Sequence, residues 1–137
     1  MIPADRDLEK LRPDVRAAFE KLAGLATRVG IDIMLTEGFR TPERQAFLYA
    51  QGRTAPGRIV TRAKPGRSDH EAVDELGNPA SRAFDVCFVE KRNEEGKPIA
   101  VTWVGPWRTL AGLAVEYCGL EWGGDWSRPD RPHFYRT

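Results

Sequence analysis

The sequence predicts an α+β fold: a small, mostly antiparallel sheet with flanking helices. Three observations carry this. Apolar residues recur at three- and four-residue intervals in two stretches, two apolar runs of strand character are joined by a glycine turn, and helices and strands intermix without a βαβ rhythm. At 137 residues, 41% of them hydrophobic, the chain suits one core and is too short for two ordinary domains, so residues 1–137 read as a single domain.

From Pro13 to Val29, the residues Val15, Ala18, Phe19, Leu22, Leu25 and Ala26 mark one buried face of a helix, with Pro13 suited to the first turn and Gly30 to the stop. Ile31-Asp32-Ile33-Met34-Leu35 alternates toward a strand, and Thr36-Glu37-Gly38-Phe39-Arg40 carries it into a loop. Thr41 caps a second helix, Pro42 opens it, and it runs through Arg44, Gln45, Phe47, Leu48 and Tyr49 to Gly52. From Arg53 to Arg67 the apolar period vanishes. Pro56, Gly57, Pro65 and Gly66 mark this as a long surface loop, of a length that is usually functional or mobile in a compact domain. Ala83 to Val89 is the best buried strand, and the Asn93-to-Lys97 turn joins it as a hairpin to Ile99 to Val104. Pro106 to Cys118 reads as a further helix, with Leu110, Leu113, Ala114 and Tyr117 on one side. The glycine-bent segment Leu120 to Trp126 then leads to His133-Phe134-Tyr135 as a final short strand.

Bulk properties exclude several classes of function. With 21 basic against 20 acidic side chains and a net charge of +1, nothing global argues for nucleic acid or an anionic membrane. The N-terminus, Met1-Ile2-Pro3-Ala4-Asp5-Arg6, has no apolar h-region, and no apolar run approaches the roughly 20 residues that span a bilayer. A soluble protein with no export signal and no transmembrane segment is the expectation. Cys87 and Cys118 lie in apolar stretches without metal-binding spacing and read as buried free thiols, with a disulfide between them left open.

The chain has only two histidines, and each sits in a short polar constellation: Ser68-Asp69-His70, and Asp130-Arg131-Pro132-His133. Between them, Ala83-Phe84-Asp85 heads the apolar run. Two imidazoles and one carboxylate suffice for a catalytic zinc, which takes three protein ligands and leaves a position for water. His70, Asp85 and His133 complete such a set, with Asp130 beside it.

These segments, with Glu121-Trp122-Gly123-Gly124-Asp125-Trp126 ahead of the second histidine, resemble the zinc peptidoglycan peptidases. That group includes phage L-alanyl-D-glutamate endolysins, D-alanyl-D-alanine carboxypeptidases and VanX-type dipeptidases, on a hedgehog/DD-peptidase-like fold. Glu37-Gly38-Phe39-Arg40-Thr41 with Gln45 is similar to the family's substrate-side motif, so the likeness runs from Ile31 to Phe134. The resemblance implies Zn2+ held by His70, Asp85 and His133, and Asp130 as the base that takes a proton from metal-bound water. It further implies that Arg40 holds a substrate carboxylate or polarises the scissile carbonyl, and that Gln45 and Ser68 hydrogen-bond the peptide. The plain alternatives are a helix-surface residue for Gln45, a turn cap for Ser68, a solvated loop residue for Arg40, and a surface ion pair with Arg128 or Arg131 for Asp130.

One departure stands between the first two ligands. The family pattern is Ser-x-His-x-x-Gly-x-Ala-x-Asp, whereas His70 and Asp85 are fifteen positions apart. The turn-forming Asp74-Glu75-Leu76-Gly77-Asn78-Pro79 suits a protruding insert. It also creates a rival ligand in Ala72-Val73-Asp74. Asp85 is preferred because Val86, Cys87, Phe88 and Val89 continue it into a strand, while Asp74 runs into a turn.

Trp122 and Trp126 read as core or cleft-wall residues, with saccharide contact as an alternative. The loop from Arg53 to Arg67 carries Arg53, Arg58, Arg62, Lys64 and Arg67 and no acid, which suits solvent or an anionic envelope. No stacking aromatics interleave these cations, so nucleic acid is not expected. The resemblance therefore implies a single-domain, monomeric zinc hydrolase of peptidoglycan stem peptides with no separate wall-binding module. It would cleave the L-alanyl-D-glutamate bond as a phage endolysin, made in the host cytoplasm and reaching the wall after holin-type release. A D-alanyl-D-alanine carboxypeptidase or dipeptidase and an inactive zinc-bearing wall-binding module are the alternatives.

Overall fold

The computed structural model describes residues 2–137. Helix α1 spans Pro13–Arg28, with Pro13 in its first turn, and the chain leaves it through Gly30 at φ 80°, a left-handed conformation that costs glycine little. Strand β1 (Ile33–Glu37) starts two residues later than expected and runs two residues further, taking in Thr36 and Glu37. Helix α2 (Pro42–Ala50) begins where predicted, the Thr41 hydroxyl accepting from the Arg44 N–H at 3.0 Å, and ends two residues before Gly52. Strands β2 (Ala83–Arg92) and β3 (Pro98–Thr102) form the expected hairpin; α3 (Trp107–Tyr117), β4 (Glu121–Trp122) and β5 (His133–Tyr135) follow.

All strand pairings are antiparallel, in the order β1-β2-β5-β4 with β3 also on β2. The central β2 is long enough to serve two partners on one edge, β5 against its first residues and β3 against its last. Alternation then divides its side chains. Phe84, Val86 and Phe88 join Val15, Phe19 and Leu22 of α1 and Leu110 and Ala114 of α3 in one apolar cluster, while Asp85 takes the opposite face. Phe84 anchors the junction, edge-on to Phe19 at 5.2 Å and stacked with Phe134 at 5.8 Å. On α3 the buried face is Trp107, Leu110, Ala111 and Ala114; Tyr117, expected there, is 56% exposed because the helix ends and its side chain falls beyond the sheet-facing stripe. Cys87 and Cys118 are buried free thiols, and burial raises the pKa of both.

Candidate active site

The face of the sheet away from α1 and α3 carries a row of polar side chains. Register places Glu37 of β1 opposite Asp85 of β2, and Asp85 opposite His133 of β5. Cross-strand neighbours have Cβ atoms about 5 Å apart, so pairing alone converges these three groups. Simple alternation would send Glu37 to the core with Ile33 and Leu35. A β-bulge between Leu35 and Glu37 shifts the register and turns Glu37 to the polar face.

His70 arrives from outside the sheet, in a single 3₁₀ turn, Asp69–Glu71. Ser68 caps that turn, its hydroxyl accepting from the His70 N–H while Glu71 reaches back to the Ser68 N–H. Two bonds lock the turn to the end of β1: the Arg40 N–H donates to the His70 carbonyl at 2.9 Å, and His70 Nδ1 lies 2.6 Å from the Gly38 carbonyl. A carbonyl only accepts, so Nδ1 carries a proton, and in the neutral ring Nε2 turns its lone pair toward the polar row. There, His70 Nε2 and His133 Nδ1 are 3.2 Å apart, His133 Nδ1 and Asp85 Oδ1 3.2 Å, and His70 Nε2 and Asp85 Oδ1 3.6 Å.

The C-terminal wall of the site is a tight turn built on glycine. The Gly123 carbonyl accepts from the N–H groups of Trp126 and Asp130, and Trp122 Nε1 donates to the Arg131 carbonyl at 2.7 Å. A Cβ on Gly123 would lie 2.7 Å from the Asp130 carbonyl, and one on Gly124 would enter the Trp122 ring. This brings Asp130 to a cleft of about 540 Å³ shared with His70, His133, Arg40 and Trp126. Trp126 braces the wall, 5.0 Å from the His133 ring and donating to the Tyr135 hydroxyl. The Asp130 carboxylate makes no ion pair or hydrogen bond among the described residues, so the surface pairing with Arg128 or Arg131 is not formed.

Charge is distributed unequally over the two acids. Burial alone would raise the Asp85 carboxyl, but the charges and hydrogen bonds of His70 and His133 outweigh it and hold Asp85 well below the usual carboxylate range. Asp130 is raised instead, first by burial and then by the negative charge of Asp85, with His133, His70 and Arg40 opposing only in part. Arg40 is itself nearly buried, its Nη2 3.0 Å from Glu37 and 3.4 Å from Asp85, with Nη1 donating to Gln45 Oε1 at 3.3 Å. Its Nε is buried and makes no hydrogen bond among the described residues. Glu37 also binds Arg44 at 3.0 Å.

Sequence reasoning grouped most of these residues and misjudged the surroundings of one. Gln45 is completely buried, not a helix-surface residue, and its amide is committed to Arg40, Thr61 and Ala63. Ser68 serves as the turn cap. Asp74 lies apart in a small hairpin closed by the Val73–Pro79 bridge, its Oδ1 accepting from the N–H groups of Leu76 and Asn78. Glu37 and the Gly38 carbonyl were missed as supports. A bulge and a backbone acceptor leave no residue-type signal, although Glu37 stood within the motif.

The three donor atoms of His70, Asp85 and His133 suit a metal ion. Two neutral-imidazole nitrogens and a carboxylate oxygen are zinc donors, and tetrahedral ligation at about 2.0–2.1 Å puts donor pairs about 3.3–3.4 Å apart. The observed separations, 3.2, 3.2 and 3.6 Å, bracket that value. A His-Asp-His triangle, two of its members on strands and one in a 3₁₀ turn, with an unpaired carboxylate on the same cleft, is a donor set suited to a metal-site hydrolase.

Comparison with known proteins narrows this class. Residues 8–105, which include His70 and Asp85, match the VanY D-alanyl-D-alanine carboxypeptidase family. The peptidoglycan L-alanyl-D-glutamate endopeptidase CwlK of Bacillus subtilis (strain 168) is 35% identical over 136 residues, covering 96% of this chain and 74% of that protein. An L-alanyl-D-glutamate peptidase of a Listeria phage is 27% identical over 93% of this chain and 38% of its own length. In structure, the L-Ala D-Glu endopeptidase ChiX of Serratia marcescens superposes with a TM-score of 0.56 at 24% identity, covering 95% of this chain and 83% of that one. A vancomycin-resistance D,D-pentapeptidase VanY variant in complex with Zn(II) gives 0.57 at 18% identity, over 92% and 72%. These two likenesses establish the α+β fold. The chain belongs to the VanY family and is a peptidoglycan hydrolase.

Proposed function

We propose that the chain is a zinc-dependent endopeptidase that cleaves the L-alanyl-D-glutamate bond of peptidoglycan stem peptides. The observation that carries this reading is the donor triangle of His70, Asp85 and His133 beside the unpaired Asp130, in a chain 35% identical to CwlK over nearly its whole length. Zinc at that triangle would supply Lewis acidity and a water of lowered pKa. Asp130 then accepts the proton of the attacking water on its carboxylate and returns it to the departing amine, a transfer its raised pKa favours. Arg40, fixed by Glu37 and Gln45, presents positive charge to the oxygen on which charge develops. Gln45 acts through Arg40 and the adjoining loop; Ser68 acts by fixing the turn that delivers His70.

Among the described residues, no helix is long and apolar enough to cross a membrane. A phage lytic role is supported by the likeness to the Listeria phage peptidase, and holin-type release to the wall would accompany that role. The exposed cations Arg58 and Lys64 of the loop suit contact with an anionic envelope. The family description favours a second reading, a D-alanyl-D-alanine carboxypeptidase.

The test is digestion of purified peptidoglycan by the metal-loaded protein beside a chelated control, with products identified by mass spectrometry. New N-terminal D-glutamate, lost with chelator, is the expected result. Released D-alanine instead would replace the reading with the carboxypeptidase, and intact peptidoglycan with metal bound would point to a wall-binding module.

A further inference from the structure

Two arginines of the segment between α2 and the His70 turn are held at the cleft with no partner. Arg62 lies between Thr61 and Ala63, and the buried Gln45 amide fixes both neighbours, Nε2 donating to Thr61 Oγ1 at 3.1 Å and to the Ala63 carbonyl at 2.8 Å. Arg67 lies between Gly66 and Ser68, whose N–H groups donate to the two oxygens of Glu71 at 2.7 and 3.1 Å. Backbone on either side of each arginine is therefore pinned, and the Glu71 carboxylate is occupied by N–H donors. Arg128 joins them from the C-terminal wall, so three arginines besides Arg40 line the cleft.

None of the three makes an ion pair or a side-chain hydrogen bond among the described residues. Elsewhere on the molecule Arg12, Arg16, Arg44, Arg82, Arg92 and Arg136 are paired with acids, and the other arginines that lack an acid partner among the described residues do not line this cleft. The cleft's own acids offset little, because Asp69 is bound to Arg82 at 2.9 Å and only Asp130 stands free. On a chain of net charge +1, this concentrates unpaired positive charge at one concave surface, the arrangement that attracts and orients an anion.

We propose that Arg62 and Arg67, assisted by Arg128, read a free carboxylate on the substrate beside the scissile bond and so discriminate against peptides in which it is an amide. The identity of that carboxylate rests on the proposed function: D-glutamate acylated on its amine and extended through one carboxyl keeps the other. An amide in its place is neutral and adds a donor that faces only guanidinium donors.

The test is calorimetric binding to the full, metal-loaded chain of two γ-D-glutamyl peptides, identical except for a free α-carboxylate or an α-amide. The carboxylate peptide should bind about tenfold more tightly, the scale of one charge-assisted hydrogen bond. In the double variant Arg62→Gln/Arg67→Gln that advantage should fall to within about twofold, with amide binding unchanged. Arg58→Gln removes the same charge from the same loop outside the cleft and should leave the preference intact. Equal affinity for both peptides, equal weakening of both by the double variant, or the same flattening by Arg58→Gln would each overturn the proposal. Which bond is cut is read separately, from products of L-alanyl-γ-D-glutamyl peptides. Cleavage elsewhere with the preference retained would overturn the proposed function and leave carboxylate recognition standing.

Discussion

Asp130 and Asp85 are both carboxylates beside His133, and their surroundings assign them different work. Asp85 has its charge matched by two imidazoles and suits a ligand; Asp130 has no partner and suits a base. Asp130→Ala should leave metal content unchanged while lowering hydrolysis by on the order of 10²–10⁴-fold, checked by metal analysis alongside peptide turnover. Asp85→Ala should lose the metal, and Asp74→Ala should keep it; a metal-free Asp74→Ala protein would reassign the ligand. Glu37 carries the energetic weight behind the site, since its buried carboxylate neutralises two nearly buried guanidinia. Truncating it to alanine leaves Arg44 without an acid and Arg40 with only the longer contact to Asp85, and should cost about 3–5 kcal/mol in urea denaturation.

At the scale of elements, the insert between His70 and Asp85 is a self-contained hairpin. Its ends are closed by the Val73–Pro79 bridge and the Ala80 N–H to Ala72 carbonyl bond at 2.9 Å, and its tip reaches solvent with Leu76 87% exposed. Replacing residues 74–78 by a two-residue turn should therefore preserve metal content and melting temperature, because neither ligand is anchored through the tip. The core-facing helices tolerate no such change. Leu22 of α1 is fully buried, and Leu22→Ala should cost about 2–5 kcal/mol in the same denaturation assay, the range for truncating a buried leucine and leaving a cavity.

For the whole molecule, the three candidate ligands lie on β2, on β5 and in a 3₁₀ turn, so a bound ion ties together segments distant in sequence. Chelation should lower the melting temperature, and metal should restore it in a concentration-dependent manner. Because the imidazoles must be neutral to ligate, this stabilisation should weaken as the solution is acidified. A melting temperature indifferent to chelator at neutral pH would remove the ion from the folded state's energetics.

The sequence by itself determined the element order, the antiparallel α+β class and the candidate ligand set of His70, Asp85 and His133 with Asp130 beside it. Those depend on local chemistry: apolar period in α1 and α3, the Thr41-Pro42 start of α2, and the two histidines with their flanking aspartates. Only the tertiary structure decided how they meet. The bulge before Glu37, the Gly38 carbonyl that fixes the His70 tautomer, the burial of Gln45 beneath the loop and the exposure of Tyr117 all depend on register and on through-space neighbours. A residue's type specifies what it can donate, accept or bury; which partner stands opposite is set by strand pairing and packing across the chain, and no local pattern encodes that.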